Sequence, residues 1–190
     1  MPSLRKPILA KHVIAALGSD LLSHGSTDDV PFAISVSAIK PKLAVFAYTI
    51  SDPPGGRSPE ELKIQLIAPG QRKGERGNFE PPDEDSYMIV LGYSPHYDVF
   101  ALFDAYKHRD FPHSKNCQLR LGELTQARIT GIGYRDRRVK LGTEHIIMAR
   151  PDHLAKALGE RIQGSCSVTF RSTFGTTPAR TSPRISSSPA

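Results

Sequence analysis

Glu61-Leu62-Lys63-Ile64-Gln65-Leu66-Ile67 alternates polar and apolar side chains, a period of two that predicts a half-buried β-strand. Leu62, Ile64 and Leu66 share one face, which packs inward. Glu61, Lys63 and Gln65 share the other. An outward row of acid, base and amide is suited to reading bases or holding phosphate, because glutamine both donates and accepts while lysine supplies a point charge. The same row also describes an ordinary solvated strand face.

The flanks of this strand are unusual. Before it lies the turn Asp52-Pro-Pro-Gly-Gly-Arg57, and after it the loop Pro69-Gly-Gln-Arg-Lys-Gly-Glu-Arg-Gly-Asn78. Glycine lets a backbone come close to another molecule, and Arg57, Arg72, Lys73 and Arg76 bring positive charge to that approach. The pattern suits a polyanion, nucleic acid first. It is no Walker loop, since GxxxxGK[ST] is missing. A mobile hairpin connection is the plainer alternative.

Further outward, Leu43–Ile50, Tyr87–Leu91, Tyr97–Phe103 and Glu144–Ala149 read as strands, with Gln118–Leu121 a short additional one. A helical rhythm of apolar residues runs through residues 8–22, from Ile8 to Leu22, and ends near Gly25. Gly122–Ile129 is a second helix. Asp152–Gln163 is a third, with Leu154, Ala157, Leu158 and Ile162 on one face and Pro151 at its start. Strands in series between terminal helices predict an α+β fold with a mainly antiparallel sheet, curled toward a barrel. The domain spans residues 5–163. Residues 164–190, rich in Ser, Thr, Pro and Arg, bury too little apolar surface to offset their ordering entropy and are expected to be disordered.

The 190 residues suffice for one compact domain, and the net charge of +6 favours an acidic partner without requiring one. Cys117 and Cys166 form no CxxC pair, which excludes a zinc knuckle or disulfide framework and fits a reducing cytoplasm. No apolar run approaches the ~20 residues that span a bilayer. No membrane association is expected, and neither is a cofactor.

Other clusters carry weaker signals. Asp104-Ala-Tyr-Lys-His-Arg-Asp-Phe-Pro-His-Ser-Lys-Asn116 interleaves aromatics with cations, the mixture that lets bases stack while charges hold the backbone. His108 and His113 lack the company of a metal site, so no metal ligand is assigned. Cys117 beside either histidine imitates a thiol–base pair without further support. Tyr134-Arg-Asp-Arg-Arg-Val-Lys140 adds a positive run of the kind that usually marks a solvated face. Asp52 with Glu61 and Lys63 has the outline of a PD-(D/E)xK nuclease, in which carboxylates hold Mg²⁺ and lysine positions water.

Pro53-Pro-Gly-Gly-Arg57, Glu61–Ile67, Pro69-Gly-Gln71 and Arg76-Gly77 together resemble proteins encoded beside DNA methyltransferases in bacterial restriction–modification loci. Leu91-Gly-Tyr93, Asp98-Val-Phe100, Phe103-Asp104-Ala105, Ser114–Gln118 and Glu144-His-Ile-Ile147 extend the likeness, which covers roughly residues 40–155. The resemblance implies a DNA-recognition module of a restriction endonuclease, working in host defence with a methyltransferase or nuclease subunit as partner. On this reading Arg57, Arg72, Lys73 and Arg76 hold phosphate of duplex DNA. Lys63, Gln65 and Asn78 lie nearest the bases. His108, Arg109 and Lys115 form a second contact strip, and Arg135, Arg137 and Arg138 an outer one. The alternatives are a Mg²⁺-dependent endonuclease using Asp52, Glu61 and Lys63, and a non-catalytic interaction subunit.

Overall fold

The computed structural model describes residues 3–51, 58 and 60–172, with side chains through residue 164. Helix α1 (Lys6–Leu17) leads into strands β1 (Leu21–His24), β2 (Phe32–Val36), β3 (Lys42–Thr49), β4 (Glu61–Leu66), β5 (Arg76–Gly77), β6 (Ser86–Ser94) and β7 (Val99–Asp104). Strands β8 (Phe111–Pro112) and β9 (Lys115–Arg120) precede α2 (Leu121–Thr130). The chain then forms the hairpin β10 (Ile132–Val139) and β11 (Gly142–Ala149), followed by α3 (Leu154–Ser172).

Seven strands form one sheet in the order β1-β2-β3-β6-β7-β11-β10. Each neighbouring pair is antiparallel except β3 with β6, which run parallel from Lys42↔Ser86 to Thr49↔Tyr93. The fold is therefore α+β and mainly antiparallel, with helices at both ends of the chain. The sheet does not close: β1 and β10 are its two edges, so the expected curl toward a barrel stops short of one.

Alternation along the central strands divides the core in two. Leu43, Val45, Ala47, Ile89, Leu91, Phe100, Leu102 and Ile147 face α1 and α3. Ala44, Phe46, Tyr48, Met88, Val90, Ala101, Phe103 and Ile146 face a second layer, the two-stranded sheet β4–β9 together with α2. The central strands are buried on both faces, which explains their near-continuous apolar runs. Strand β4 keeps the period of two: Leu62, Ile64 and Leu66 are buried, and each such side chain contributes about 1.5–3 kcal/mol. Gly92 on β6 sets how closely the layers approach. A β-carbon there would lie 2.8 Å from Ile64 Cγ2 and 2.9 Å from Ile50 Cγ1.

Two boundaries depart from the sequence reading. The first helix ends at Leu17 because Gly18 adopts φ of 49°, in the left-handed region. Leu21 and Leu22 therefore belong to a strand, with Leu21 opposite Val36, and not to the expected helix through residue 22. The positive run beginning at Tyr134, which the sequence reading leaves out of its strands, is a strand at the sheet's edge, and its charges divide between two faces. At the C-terminus α3 continues to Ser172, and residues 173–190 of the expected tail lie outside the described residues. Among the described residues no helix is long and apolar enough to cross a membrane.

Candidate nucleic-acid interface

The loop after β4 is a built structure, held by one side chain. Gln71 Oε1 accepts from Ala68 N–H at 3.0 Å, while its Nε2 donates to the carbonyls of Glu75 at 3.0 Å and Phe111 at 3.2 Å. Arg72 N–H donates to Glu75 Oε2 at 2.8 Å. Gly70 and Gly74 turn the chain at φ of 75° and 92°. Gly77 has no room for a β-carbon, which would meet Gln71 Cδ at 2.7 Å. Phe79 packs on Phe46 and Phe111 below the loop. These bonds tie the loop to itself and to Phe111.

The same loop is joined to a segment far along the chain. Strand β5 pairs with β8, Arg76↔Pro112 and Gly77↔Phe111. Arg76 donates to the Asp110 carboxylate and to its backbone carbonyl, and Asp110 N–H donates to Asn78 Oδ1 at 2.6 Å. The Arg76 hydrogen bond holds the Asp110 carboxyl below its ordinary range, and the charges of Arg76 and Lys140 act in the same direction. Lys107 Nζ donates to the carbonyl of Leu141 at 2.6 Å, which ties in the turn between β10 and β11. Three segments separated in sequence thus converge, carrying Arg72, Lys73, Arg76, Lys107, Arg109 and Lys140 against Glu75 and Asp110.

Other expected contacts are distributed differently. Lys63 and Gln65 lie on the outer face of β4, opposite Gln118 and Asn116 of β9. Glu61 is on that face too, opposite Arg120. Asp52 and Arg57 lie outside the described residues.

The strip of His108, Arg109 and Lys115 is divided: Arg109 is exposed, whereas His108 is fully buried and Lys115 turns inward. The odd-numbered positions Lys115, Cys117 and Leu119 point into the core, so β-alternation takes Lys115 away from the surface. Arg135, Arg137 and Arg138 are divided for the same reason. Arg135 reaches Glu123 at 3.1 Å and Arg137 reaches Glu144 at 2.6 Å on one face, and Arg138 is exposed on the other.

The inward residues form a buried polar network. Glu144 Oε1 accepts from His108 Nε2 at 2.8 Å and from Asp104 N–H at 3.1 Å, while its Oε2 accepts from Arg137 at 2.6 Å. Lys115 Nζ stands 3.2 Å from His108 Nδ1. An ammonium only donates, so this tautomer has Nδ1 as acceptor and Nε2–H as donor. Burial pushes the Glu144 carboxyl up, but the hydrogen bonds from His108 and Arg137 and the charge of Arg137 outweigh it and the net direction is down. Burial pushes the Cys117 thiol up, and its side chain is fully enclosed. That is a structural cysteine's setting rather than a nucleophile's. Sequence reasoning assigns no role to Glu144, because its partners come from residues brought together only by strand pairing. Lys107 and Lys140 do have a signal, their place in basic runs.

The matched family is one of methylase-associated proteins, which ties this chain to restriction–modification systems. The chain belongs to the family described as Methylase-associated X1, whose model matches residues 41–158. That span runs from the start of β3 into α3 and contains all three converging cationic segments. No curated protein and no solved structure matches the chain.

Proposed function

We propose that this chain binds duplex DNA within a restriction–modification system, in the company of a DNA methyltransferase or nuclease subunit. The observation that carries the reading is the convergence of Arg72, Lys73, Arg76, Arg109 and Lys140 on one surface built around a braced glycine loop. Exposed guanidinium and ammonium groups neutralise phosphates and release condensed counterions, which gives affinity without sequence preference. Lys63 and Gln65 on the outer face of β4 are the groups offered to base edges, with Asn78 held nearby by Asp110.

The test is a duplex titration at two salt concentrations with methylated and unmethylated random-sequence pools. Binding should weaken steeply with salt. Arg72→Ala with Lys73→Ala should reduce the log–log salt slope by about 0.9 for every phosphate that is no longer neutralised. Absence of binding even at low salt, together with a stable complex with a methyltransferase, would favour the interaction subunit instead.

A second reading is a Mg²⁺-dependent endonuclease. Its support is the backbone pairing of Ser51 with Lys63, N–H to carbonyl at 2.9 and 3.0 Å, which sets the residue before Asp52 opposite Lys63 while Glu61 shares the Lys63 face. Asp52 and Glu61 would hold the metal and Lys63 would orient water. Plasmid nicking that requires Mg²⁺ and is lost in Glu61→Ala would establish it, and intact plasmid beside shifted duplex would exclude it.

A further inference from the structure

A cavity of about 650 Å³ opens between the start of α1 and strands β3 and β4. Its size lies within the few-hundred to ~1,000 Å³ range of sites that hold small ligands. Leu4, Val30, Ile67 and Pro69 give it apolar walls, and Lys6 and Gln65 supply polar groups. Lys6 Nζ lies 3.9 Å from the centroid of the Tyr48 ring and also donates to the Ala47 carbonyl. Tyr48 donates its hydroxyl hydrogen to the Ile67 carbonyl at 2.7 Å, leaving its oxygen able to accept. The exposed Gln65 amide makes no hydrogen bond to protein among the described residues.

The position of this cavity matters as much as its lining. Pro69 and Gly70 form part of its wall and also part of a second hollow, of about 380 Å³, lined by Arg76 and Asn78. The two hollows abut across the first residues of the cationic loop. A nucleic-acid backbone held by Arg72 and Lys73 therefore passes close to the mouth of the larger one. Apolar walls with an amide that both donates and accepts, beside the Lys6 amine and the hydroxyls of Thr49 and Ser51, fit a planar, hydrogen-bonding ring. Burial lowers Lys6 to about 8, and an amine so desolvated gains from a carbonyl oxygen placed before it.

We propose that this cavity receives a single nucleobase turned out of the duplex, with the Gln65 amide reading its hydrogen-bonding edge. The proposal rests on the DNA-binding reading above. It adds a source of sequence or modification preference that phosphate contacts lack. Extrusion costs stacking and pairing, least for a mismatched base, so mismatched sites should bind several-fold more tightly at the extruded position.

The experiment uses the full chain and duplexes of the best-bound sequence from the random pool, with 2-aminopurine opposite thymine at each position in turn. Anisotropy of an end label reports binding, and 2-aminopurine emission reports unstacking. The expected result is a several-fold emission rise at one position. Ile67→Trp, which fills the cavity from a side chain already 38% exposed, should abolish that rise and leave anisotropy binding within a few-fold. Gln65→Leu, also at an exposed position, should weaken discrimination among bases there several-fold. Anisotropy binding without an emission rise at any position, or a rise that both variants leave unchanged, overturns the pocket and spares the DNA reading. No anisotropy change with any duplex overturns both. Circular dichroism melts of the two variants confirm that they fold.

Discussion

Replacing Glu144 by leucine should be the most damaging single change in the buried network. The carboxylate is fully enclosed and accepts from Asp104 N–H, from His108 and from Arg137, so its loss leaves a guanidinium with only 16% of its side chain exposed and an imidazole N–H without their acceptor. Breaking a buried pair by removing one member costs about 3–5 kcal/mol, because the surviving charge stays desolvated. Domains of this size lose roughly 2–4 °C per kcal/mol, so the melting temperature should fall by roughly 6–20 °C. Urea titrations and thermal melts at neutral pH measure both quantities. Adding Arg137→Met to Glu144→Leu should recover part of the loss, since the orphaned charge goes with it. A Glu144→Leu variant within about 1 kcal/mol of wild type would refute the reasoning. So would a double variant whose cost equals the sum of the two single ones.

The acid limb of stability follows from the same carboxylate. Its folded pKa is lowered from the ordinary 4.5, so its contribution is complete above that value and is lost as pH falls through the folded value. Urea midpoints between about pH 6 and pH 3 should therefore fall, and Glu144→Gln should flatten the fall relative to wild type. Asp110→Asn should strengthen duplex binding and steepen its salt dependence, measured by anisotropy, because it removes an acid from the cationic surface and frees Arg76. Asn also tolerates the φ of 48° at this position. Gly131→Ala should destabilise by at least about 1–3 kcal/mol in urea titrations. Its φ is 89°, and the new β-carbon would lie 2.4 Å from His153 Nε2.

The parts of this fold legible in the sequence are those set by local periodicity. The alternation of β4 and the apolar runs of β3, β6, β7 and β11 each report burial directly, and the apolar face of α3 does the same. Strand β2 is hard to read although Phe32, Ile34 and Val36 alternate, because five residues beside a proline carry a weak signal. Leu21 and Leu22 fit a helical rhythm, and only the left-handed turn at Gly18 takes them out of it. The site is less legible. The cations of the glycine loop stand out as a cluster, but Asp110 acquires its partnership with Arg76 through β5–β8 pairing. His108 and Arg137 stand in the same basic runs as Arg109 and Arg138. Which of them face solvent depends on strand register and on Glu144, and neither is encoded locally.

Strand β10 is one edge of the open sheet, so among the described residues one side of its backbone has no neighbouring strand. An edge of that kind is a template on which a second copy of the chain can add a strand. Arg135, Asp136 and Arg138 stand along it, next to the exposed Tyr134. A second β10 laid antiparallel in full register against this one would set Arg135 opposite Asp136 and would have to desolvate charges already matched within the molecule, Arg135 to Glu123 and Asp136 to His145. The run that looks in the sequence like a strip for phosphates thus also raises the cost of adding a strand at this edge. Stripping the charges from β10 would lower that cost, and antiparallel pairing of two such edges would close a two-fold dimer.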